Sequence, residues 1–300
     1  FDPSTQNTYI GGYFNPYDLI EDTNYGNGNC APIINIDTYP SLYQYKDCSN
    51  INYSVLKSTV IHEFQHLINF SQVYLNPAST EVTPEWFDES MSMAAEELAY
   101  PNNAIIERVD NYNKASNSQS LYSFDNDNYL MGYSLSALFG QYLRLHGGGY
   151  GVYKKISDYY RTQANISVKK AVESAVQGTD LNGMTFENIV KNYFLALYIN
   201  EKTGLYGFSG QAFAEKIYRK PTYYKNQING GEVLFLNNDR NIIPSGSIGN
   251  NIIFSGITLQ ENNNVLSFEY VIKEDNSIKI TKNTGNAVHV VLPSQINGRK

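Results

Sequence analysis

The chain has 300 residues, 42% of them hydrophobic and 17% charged, so it can bury a sizeable core as one large domain or two. Its formal net charge is −7 and it has no run rich in Lys or Arg, which argues against a nucleic-acid or anionic-membrane surface. It contains no apolar stretch of about 18 residues, so the sequence predicts no membrane-spanning helix. A surface rich in Tyr, Asn, Ser and Gln is typical of an exported bacterial protein.

The beginning of the chain and its cysteines fit the same interpretation. The chain starts at Phe1, without Met and without a basic-then-apolar leader, which we interpret as a trimmed sequence whose export signal has been removed. Its two cysteines are Cys30 and Cys48. Export favours a disulfide between them, which would stabilise the fold by about 3 kcal/mol; two free thiols are the alternative.

The first three quarters of the chain combine short strands with longer helices. Residues 1–50 predict strands between Asn- and Gly-rich loops, with the clearest strand in the apolar run 31–37. Helical spacing begins at Ser54, the predicted N-cap, and recurs in 84–100, after Pro84, and in 129–146, which Gly147 ends. Further helices are predicted over 151–160, 167–176, 185–200 and 210–218.

The last quarter has β-type periodicity. Apolar runs bounded by Asn, Gly, Asp or Pro occupy 232–236, 251–259, 265–272, 277–281 and 287–292. They predict a small antiparallel, β-sandwich-like domain. The sequence therefore predicts an α+β protein with domains 1–226 and 227–300.

One motif carries chemistry: His62, Glu63 and His66 form an HExxH sequence within a helical pattern. Residues four apart on a helix project from one face, so the two imidazoles can share a metal ion. Glu63 lies beside them, where it can take a proton from a water molecule. An apolar helix face containing Leu56, Val60 and Phe64 is separate from this polar face. These features favour a catalytic zinc site over a core helix with two structural histidines.

A third ligand must come from elsewhere in the chain. Asn69 and Gln72 stand where a metzincin has Gly and a final His, which excludes that branch. His146, at a helix end, and His289, in a strand pattern, have structural explanations, so a carboxylate is favoured. The candidate is Glu89, since metallopeptidases with a carboxylate ligand present a Glu from a second helix packed on the first. The acids nearby on that helix stay open: Glu96, seven residues on, either orients a ligating imidazole or is an exposed residue, and Glu85 and Glu97 are interpreted as exposed.

The HEFQH sequence, together with Trp86-Phe87-Asp88-Glu89-Ser90, resembles the hyicolysin-type secreted bacterial zinc metallopeptidases, within the gluzincins. The resemblance covers about residues 9–200 and departs from the usual pattern at Asp88, where Asn is usual, and at Ser90, where Gly is usual. It implies a thermolysin-like zincin fold with an N-terminal sheet and a helical subdomain. It also implies one catalytic zinc, held by His62, His66 and Glu89, and hydrolysis of protein or peptide substrates.

The resemblance implies further roles. The sequence from Tyr129 to Gly132 is similar to the Tyr-x-x-Gly sequence of gluzincin helices, whose hydroxyl faces the substrate carbonyl, although Tyr133 or another residue stays open for this role. By fold analogy, the 31–37 strand would pair with an extended substrate. The acidic loop 125–128 could hold calcium, but its spacing fits no EF-hand and a solvated turn is favoured.

The sequence is thus interpreted as that of a secreted, monomeric zinc endopeptidase. Glu63 would be the general base and Tyr129 a hydrogen-bond donor to the substrate. An aminopeptidase of the same clan is one alternative, but residues 11–16 contain no Glu that would hold a substrate ammonium group. A cell-surface binding protein with a retained zinc site is another, against which the intact Glu63 argues.

Overall fold

The computed structural model describes residues 10–20, 28–43, 48–79, 82–101, 104–115, 119–124, 129–218, 228–235, 255–259, 265–272 and 278–283. Two compact units, Phe1–Phe235 and Leu236–Lys300, divide the chain. The predicted domain boundary at residue 227 stays a prediction.

The described part of the first unit begins with β1 (Gly12–Phe14) and β2 (Ile34–Ile36), which form an antiparallel pair in which Tyr13 lies opposite Asn35. Helices make up most of the rest of its described part: α1 Tyr53–Tyr74, α2 Glu85–Ala99, α3 Ala104–Lys114, α4 Tyr129–His146, α5 Gly151–Thr162, α6 Val168–Ala175 and α7 Phe186–Ile199. None of the helices in the described residues is both long and apolar enough to cross a membrane. A mostly helical unit with a small sheet is compatible with the predicted α+β, zincin-like fold.

An aromatic core fixes the position of α2. Trp86 and Phe87, in the first turn of α2, are buried, and the Trp86 ring packs 5.6 Å from Phe139 on α4 and 6.1 Å from Phe186 on α7, between ring centroids. Gly140 lets α4 approach α2 closely, because a Cβ there would lie 2.8 Å from the backbone oxygen of Ser90. Glu89 lies on the same helix, two residues after the buried Phe87, so this packing also fixes the position of Glu89.

The sheet lies against α1 for a similar reason. A Cβ at Gly12 would lie 2.6 Å from Cγ2 of Thr59 and 2.8 Å from the backbone oxygen of Asn35, so only glycine allows β1 to fit between α1 and β2. This packing brings the short strand β1 next to the helix that carries the HExxH motif.

Most helix predictions are confirmed, with three differences. The N-cap of α1 is Asn52, whose side chain accepts a hydrogen bond from Val55 N at 3.2 Å, so the assignment of Ser54 was wrong. Within the predicted helix 210–218, only the 3₁₀ turn Ala214–Lys216 is helical. The apolar residues that suggested a helix, Phe213, Ala214 and Ile217, are buried, but the segment around that turn is irregular. The helix α3 has no counterpart among the predicted helices.

Two further predictions about the first unit were wrong. Residues 232–235 form no strand: Gly231 accepts a hydrogen bond from Leu121 N at 3.0 Å, and Phe235 stacks on Tyr198 of α7. Cys30 and Cys48 are free thiols at exposed positions, each with a positive backbone φ, and no disulfide links them. Each thiol lies at the surface of its own loop segment.

The second unit contains, in its described part, an antiparallel sheet in the order β3 (Ser255–Leu259), β4 (Val265–Ile272) and β5 (Ile278–Asn283). Three of the predicted strands are thereby confirmed to within a few residues. The run 287–292 and His289 lie outside the described residues, and a sandwich-like domain stays a prediction.

Candidate metal centre

The two histidines of the HExxH motif meet on one face of α1. His62 Nε2 and His66 Nε2 lie 3.0 Å apart, and the ring centroids are separated by 4.7 Å. One helical turn between the residues produces this proximity, as the sequence predicts. The apolar residues of α1 are less buried than the sequence suggested: Val60 and Phe64 are exposed.

The anchored helix α2 brings Glu89 to the same point. Its Oε2 lies 3.1 Å from His62 Nε2, and its Oε1 lies 3.6 Å from His66 Nε2. The three residues offer ligand atoms that all lie within 4.8 Å of one another. Ligands at zinc distances in a tetrahedral arrangement are about 3.3 Å apart, so these residues fit a zinc ion.

Carboxylates hold the other nitrogen of each imidazole. Glu96 lies 2.7 Å from His62 Nδ1 and also accepts from the Ser58 hydroxyl. Asp88 lies 2.8 Å from His66 Nδ1 and accepts from the Asn69 amide. Each carboxylate favours the tautomer with the proton on Nδ1 and leaves the Nε2 lone pair for a metal.

With this tautomer, the inner atoms of the site are all acceptors. Glu89 Oε2 is buried, and as long as His62 is neutral, with its one N–H directed at Glu96, this oxygen accepts no hydrogen bond from a described residue. Acceptors crowded together in this way require a cation or a proton between them. The donor set of two imidazoles and one carboxylate is that of a catalytic zinc site.

The pKa values reflect the same crowding. Burial, the largest influence, lowers the pKa of His62, but the carboxylates of Glu89 and Glu96 outweigh it and raise the pKa to about 10. Burial raises the pKa of Glu89, but hydrogen bonding and charge from His62, with smaller contributions from His66 and Arg108, make it low overall. A bound metal would compete with the proton that these groups attract.

Glu63 is buried next to the histidines and does not belong to the ligand cluster. Its Oε2 accepts a hydrogen bond of 2.9 Å from the backbone N–H of Phe14 in β1. Burial raises the pKa of this carboxyl, and the nearby charges of His62 and His66 only partly oppose the effect. A carboxyl with a raised pKa is suited to moving protons near neutral pH.

Two tyrosines of α4 lie near the ligand from α2. The Tyr129 hydroxyl donates to Glu85 Oε1 at 3.3 Å, and the rings of Tyr129 and Tyr133 pack edge to face with their centroids 5.0 Å apart. Burial raises the pKa of Tyr133, and the charge of Glu89 raises it further, which puts this phenol in the electrostatic field of the candidate metal ligand. The Phe124 ring occupies the space that a Cβ at position 132 would need, so Gly132 serves the packing of these aromatic rings.

Four other residues considered for the site are His146, Glu85, Glu97 and Asp88. His146 is buried elsewhere, where its Nε2 lies 2.9 Å from the Gly207 oxygen. Glu85 is exposed as predicted, whereas Glu97 is buried, so its assignment as exposed was wrong. Asp88 is the residue that sequence reasoning missed; the available signal was an acid next to Glu89 on the same helix.

The comparisons with known proteins agree with this geometry. No protein-family model matches the chain. The chain is 33% identical over 225 residues to the neutral metalloprotease ShpI of Staphylococcus hyicus, a match that covers 73% of this chain and 49% of that protein. The chain belongs to the same family as this metalloprotease. The family resemblance carried by the HExxH and Trp86–Ser90 sequences is thereby confirmed, and the chain spans about half the length of the relative.

Proposed function

We propose that this member of the metalloprotease family is a secreted zinc endopeptidase. The observation that carries the proposal is the convergence of His62, His66 and Glu89 beside the buried carboxyl of Glu63. A purely structural metal site would not need an acid such as Glu63 at this place. The metalloprotease named as a relative supports the same class of reaction.

His62, His66 and Glu89 would hold the zinc ion. When bound, zinc supplies Lewis acidity, which acidifies a water molecule and polarises the carbonyl of a peptide. Glu96 and Asp88 accept hydrogen bonds from the Nδ1 atoms, which orients the two imidazoles with their Nε2 atoms toward the place of the ion.

Replacing either outer carboxylate should weaken zinc binding. In Asp88→Ala and Glu96→Ala the imidazole loses the acceptor that fixes its tautomer, and we expect zinc affinity to fall by about 10–100-fold. Competition with a chromophoric chelator measures this affinity. Leu98→Ala, at an exposed position of the same helix, is the control; unchanged affinity in both acidic variants would mean that these carboxylates do not support the ligands.

Glu63 is the proposed general base. The carboxylate would take a proton from the attacking water and later pass it to the leaving amine, and its raised pKa makes both transfers accessible. The hydrogen bond from Phe14 N leaves one of its two oxygens available for this work.

The edge of the small sheet is the proposed substrate track. Asp37 N donates to Gly11 O at 2.8 Å, so Gly11 is in a hydrogen-bonded pair of the antiparallel ladder. Hydrogen-bonded and non-hydrogen-bonded pairs alternate along such a ladder, so Phe14, three residues on, is in a non-hydrogen-bonded pair. Its N–H therefore points away from β2 and donates to Glu63. We therefore place the substrate-pairing edge on β1, beside the proposed base, rather than on β2, within the run 31–37. An extended substrate there would be held by backbone groups without a demand for particular side chains.

Tyr129 is the proposed donor to the oxyanion that forms on the substrate carbonyl. It is the more exposed of the two packed tyrosines, with 40% of its surface accessible, whereas Tyr133 is half-buried. A raised pKa, caused mainly by burial, keeps its hydroxyl protonated at neutral pH.

Tyr129→Phe should lower kcat by about 10²–10³ because one donor to the transition state is lost. Zinc content, thermal midpoint and KM should stay near those of the unmodified protein. Steady-state kinetics on a quenched fluorescent peptide measure the effect, with Tyr133→Phe as the matched variant. A large loss in Tyr133→Phe and none in Tyr129→Phe would exchange the two roles.

The nature of the reaction is tested with peptides whose two termini are blocked. An endopeptidase cleaves them internally, and mass spectrometry of the products identifies the bond. An aminopeptidase would instead require a free amino terminus, and a zinc-binding surface protein would cleave neither kind of peptide. Cleavage of only unblocked peptides, one residue at a time, would contradict the proposal.

A further inference from the structure

Arg108 of α3 lies beside the packed pair of Tyr129 and Tyr133. The carbon of its guanidinium group is 5.2 Å from the centre of the Tyr133 ring. Its Nε atom is buried and has no hydrogen-bond partner among the described residues. This half-buried guanidinium therefore contacts an aromatic face, while its Nε donates to none of the described residues.

The ring that Arg108 covers is itself part of a small aromatic cluster. Tyr133 packs edge-to-face on Phe124 at 5.2 Å and on Tyr129 at 5.0 Å, between ring centroids. Phe124 also packs on Tyr129 at 5.2 Å. The face of Tyr133 is thus covered by Arg108, while its neighbours are Phe124 and the proposed oxyanion donor.

A direct ring contact links Tyr133 to the Tyr129 hydroxyl. The Tyr133 ring packs edge to face on the Tyr129 ring, and the Tyr129 hydroxyl donates to Glu85 Oε1 at 3.3 Å. A displacement of the Tyr133 ring would therefore move the ring that carries the Tyr129 hydroxyl. Arg108 is also close enough for its charge to act on Tyr133 and Glu89.

We infer that Arg108 is a positioning residue of the proposed peptidase, which clamps the Tyr133 ring and thereby aims the Tyr129 hydroxyl at the substrate carbonyl. The inference rests on the proposed function and adds a residue from a third helix, α3, to the site. The guanidinium plane suits this task because it stacks on an aromatic face, which the ammonium of Lys does less well.

A double-mutant cycle tests the inference, because a residue that acts through Tyr129 loses its influence when that hydroxyl is gone. A desolvated cation–π contact is strong enough to change a rate by about tenfold, so Arg108→Met should lower kcat by about that factor, with KM and zinc content unchanged. Arg108→Lys keeps the charge but not the guanidinium plane, so its kcat should lie between those of the unmodified protein and Arg108→Met. In a Tyr129→Phe background, Arg108→Met should change kcat by less than about twofold.

Glu107→Gln, at the exposed neighbouring position of α3, is the matched control and should leave kcat unchanged. An equal tenfold loss from Arg108→Met in both backgrounds would overturn the inference, since Arg108 would then act independently of Tyr129. A loss confined to KM, or no loss at all, would overturn it as well.

A second measurement does not depend on activity. In protein labelled with ¹³C-tyrosine, the ring signal of Tyr133, identified by its disappearance in Tyr133→Phe, should shift in Arg108→Met, as should the signal of Tyr129. If both ring signals stay in place, Arg108 does not position the pair, whatever the kinetics show. If the rings respond but the unmodified zinc-loaded protein cleaves no peptide, the proposed peptidase function fails and the contact of Arg108 with the pair stands.

Discussion

Glu63→Gln should retain zinc and the fold but lose nearly all peptidase activity. The amide of Gln cannot take a proton from water at neutral pH, and loss of a general base typically costs about 10²–10⁴ in rate. Gln has the same shape as Glu, and its amide oxygen can still accept the hydrogen bond from Phe14 N. The position of β1 should therefore be preserved, so the loss would report on chemistry rather than on structure.

The measurement for this variant is kcat on a blocked peptide, alongside zinc content and thermal midpoint. Glu107→Gln, which removes an exposed carboxylate on α3, is the control for a change of net charge. Turnover close to that of the unmodified protein in Glu63→Gln would place the base elsewhere.

Glu89→Ala should abolish stoichiometric zinc binding and, with it, activity. Glu89 supplies one of three proposed protein ligands. Removal of a residue that only orients such a ligand typically lowers metal affinity by about 10–100-fold. We therefore expect zinc affinity to fall by more than about 100-fold. The loss of a buried carboxylate also leaves His62 Nε2 without its neighbour at 3.1 Å.

Glu89→Gln separates loss of the ligand from loss of packing, because it keeps the volume of the side chain in the α2 helix. Elemental analysis after dialysis should find both variants without zinc, while circular dichroism shows the helices retained. If either variant keeps one zinc per chain and full activity, the assignment of Glu89 as a ligand is wrong.

The sequence predicted the centre well where the chemistry is local. His62 and His66 are four residues apart on one helix, so their convergence follows from helical geometry alone. Glu89 required a second helix, and the family resemblance supplied its position. The structure adds the reason that it arrives there: Trp86 is held in the aromatic core, and Gly140 permits the close packing of α4.

The sequence failed where a role depends on contacts between distant segments. Asp88 stands next to Glu89 on the same helix, but this spacing alone does not show that it will lie 2.8 Å from His66, twenty-two residues earlier. Arg108 lies on α3, which was not predicted, and its contact with Tyr133 is visible only after the helices pack. The disulfide between Cys30 and Cys48 was predicted from the expected export of the protein, which contains no information on the distance between the two residues.

The central claim is that one zinc ion, held by His62, His66 and Glu89, makes this chain a peptidase. It is tested most directly by removing metal with a chelator and titrating zinc back while cleavage of a blocked peptide is followed. The account predicts that activity disappears on chelation and returns linearly up to one zinc per chain, with no return in Glu89→Gln. Cleavage that survives complete removal of metal, or that returns equally in Glu89→Gln, would contradict it.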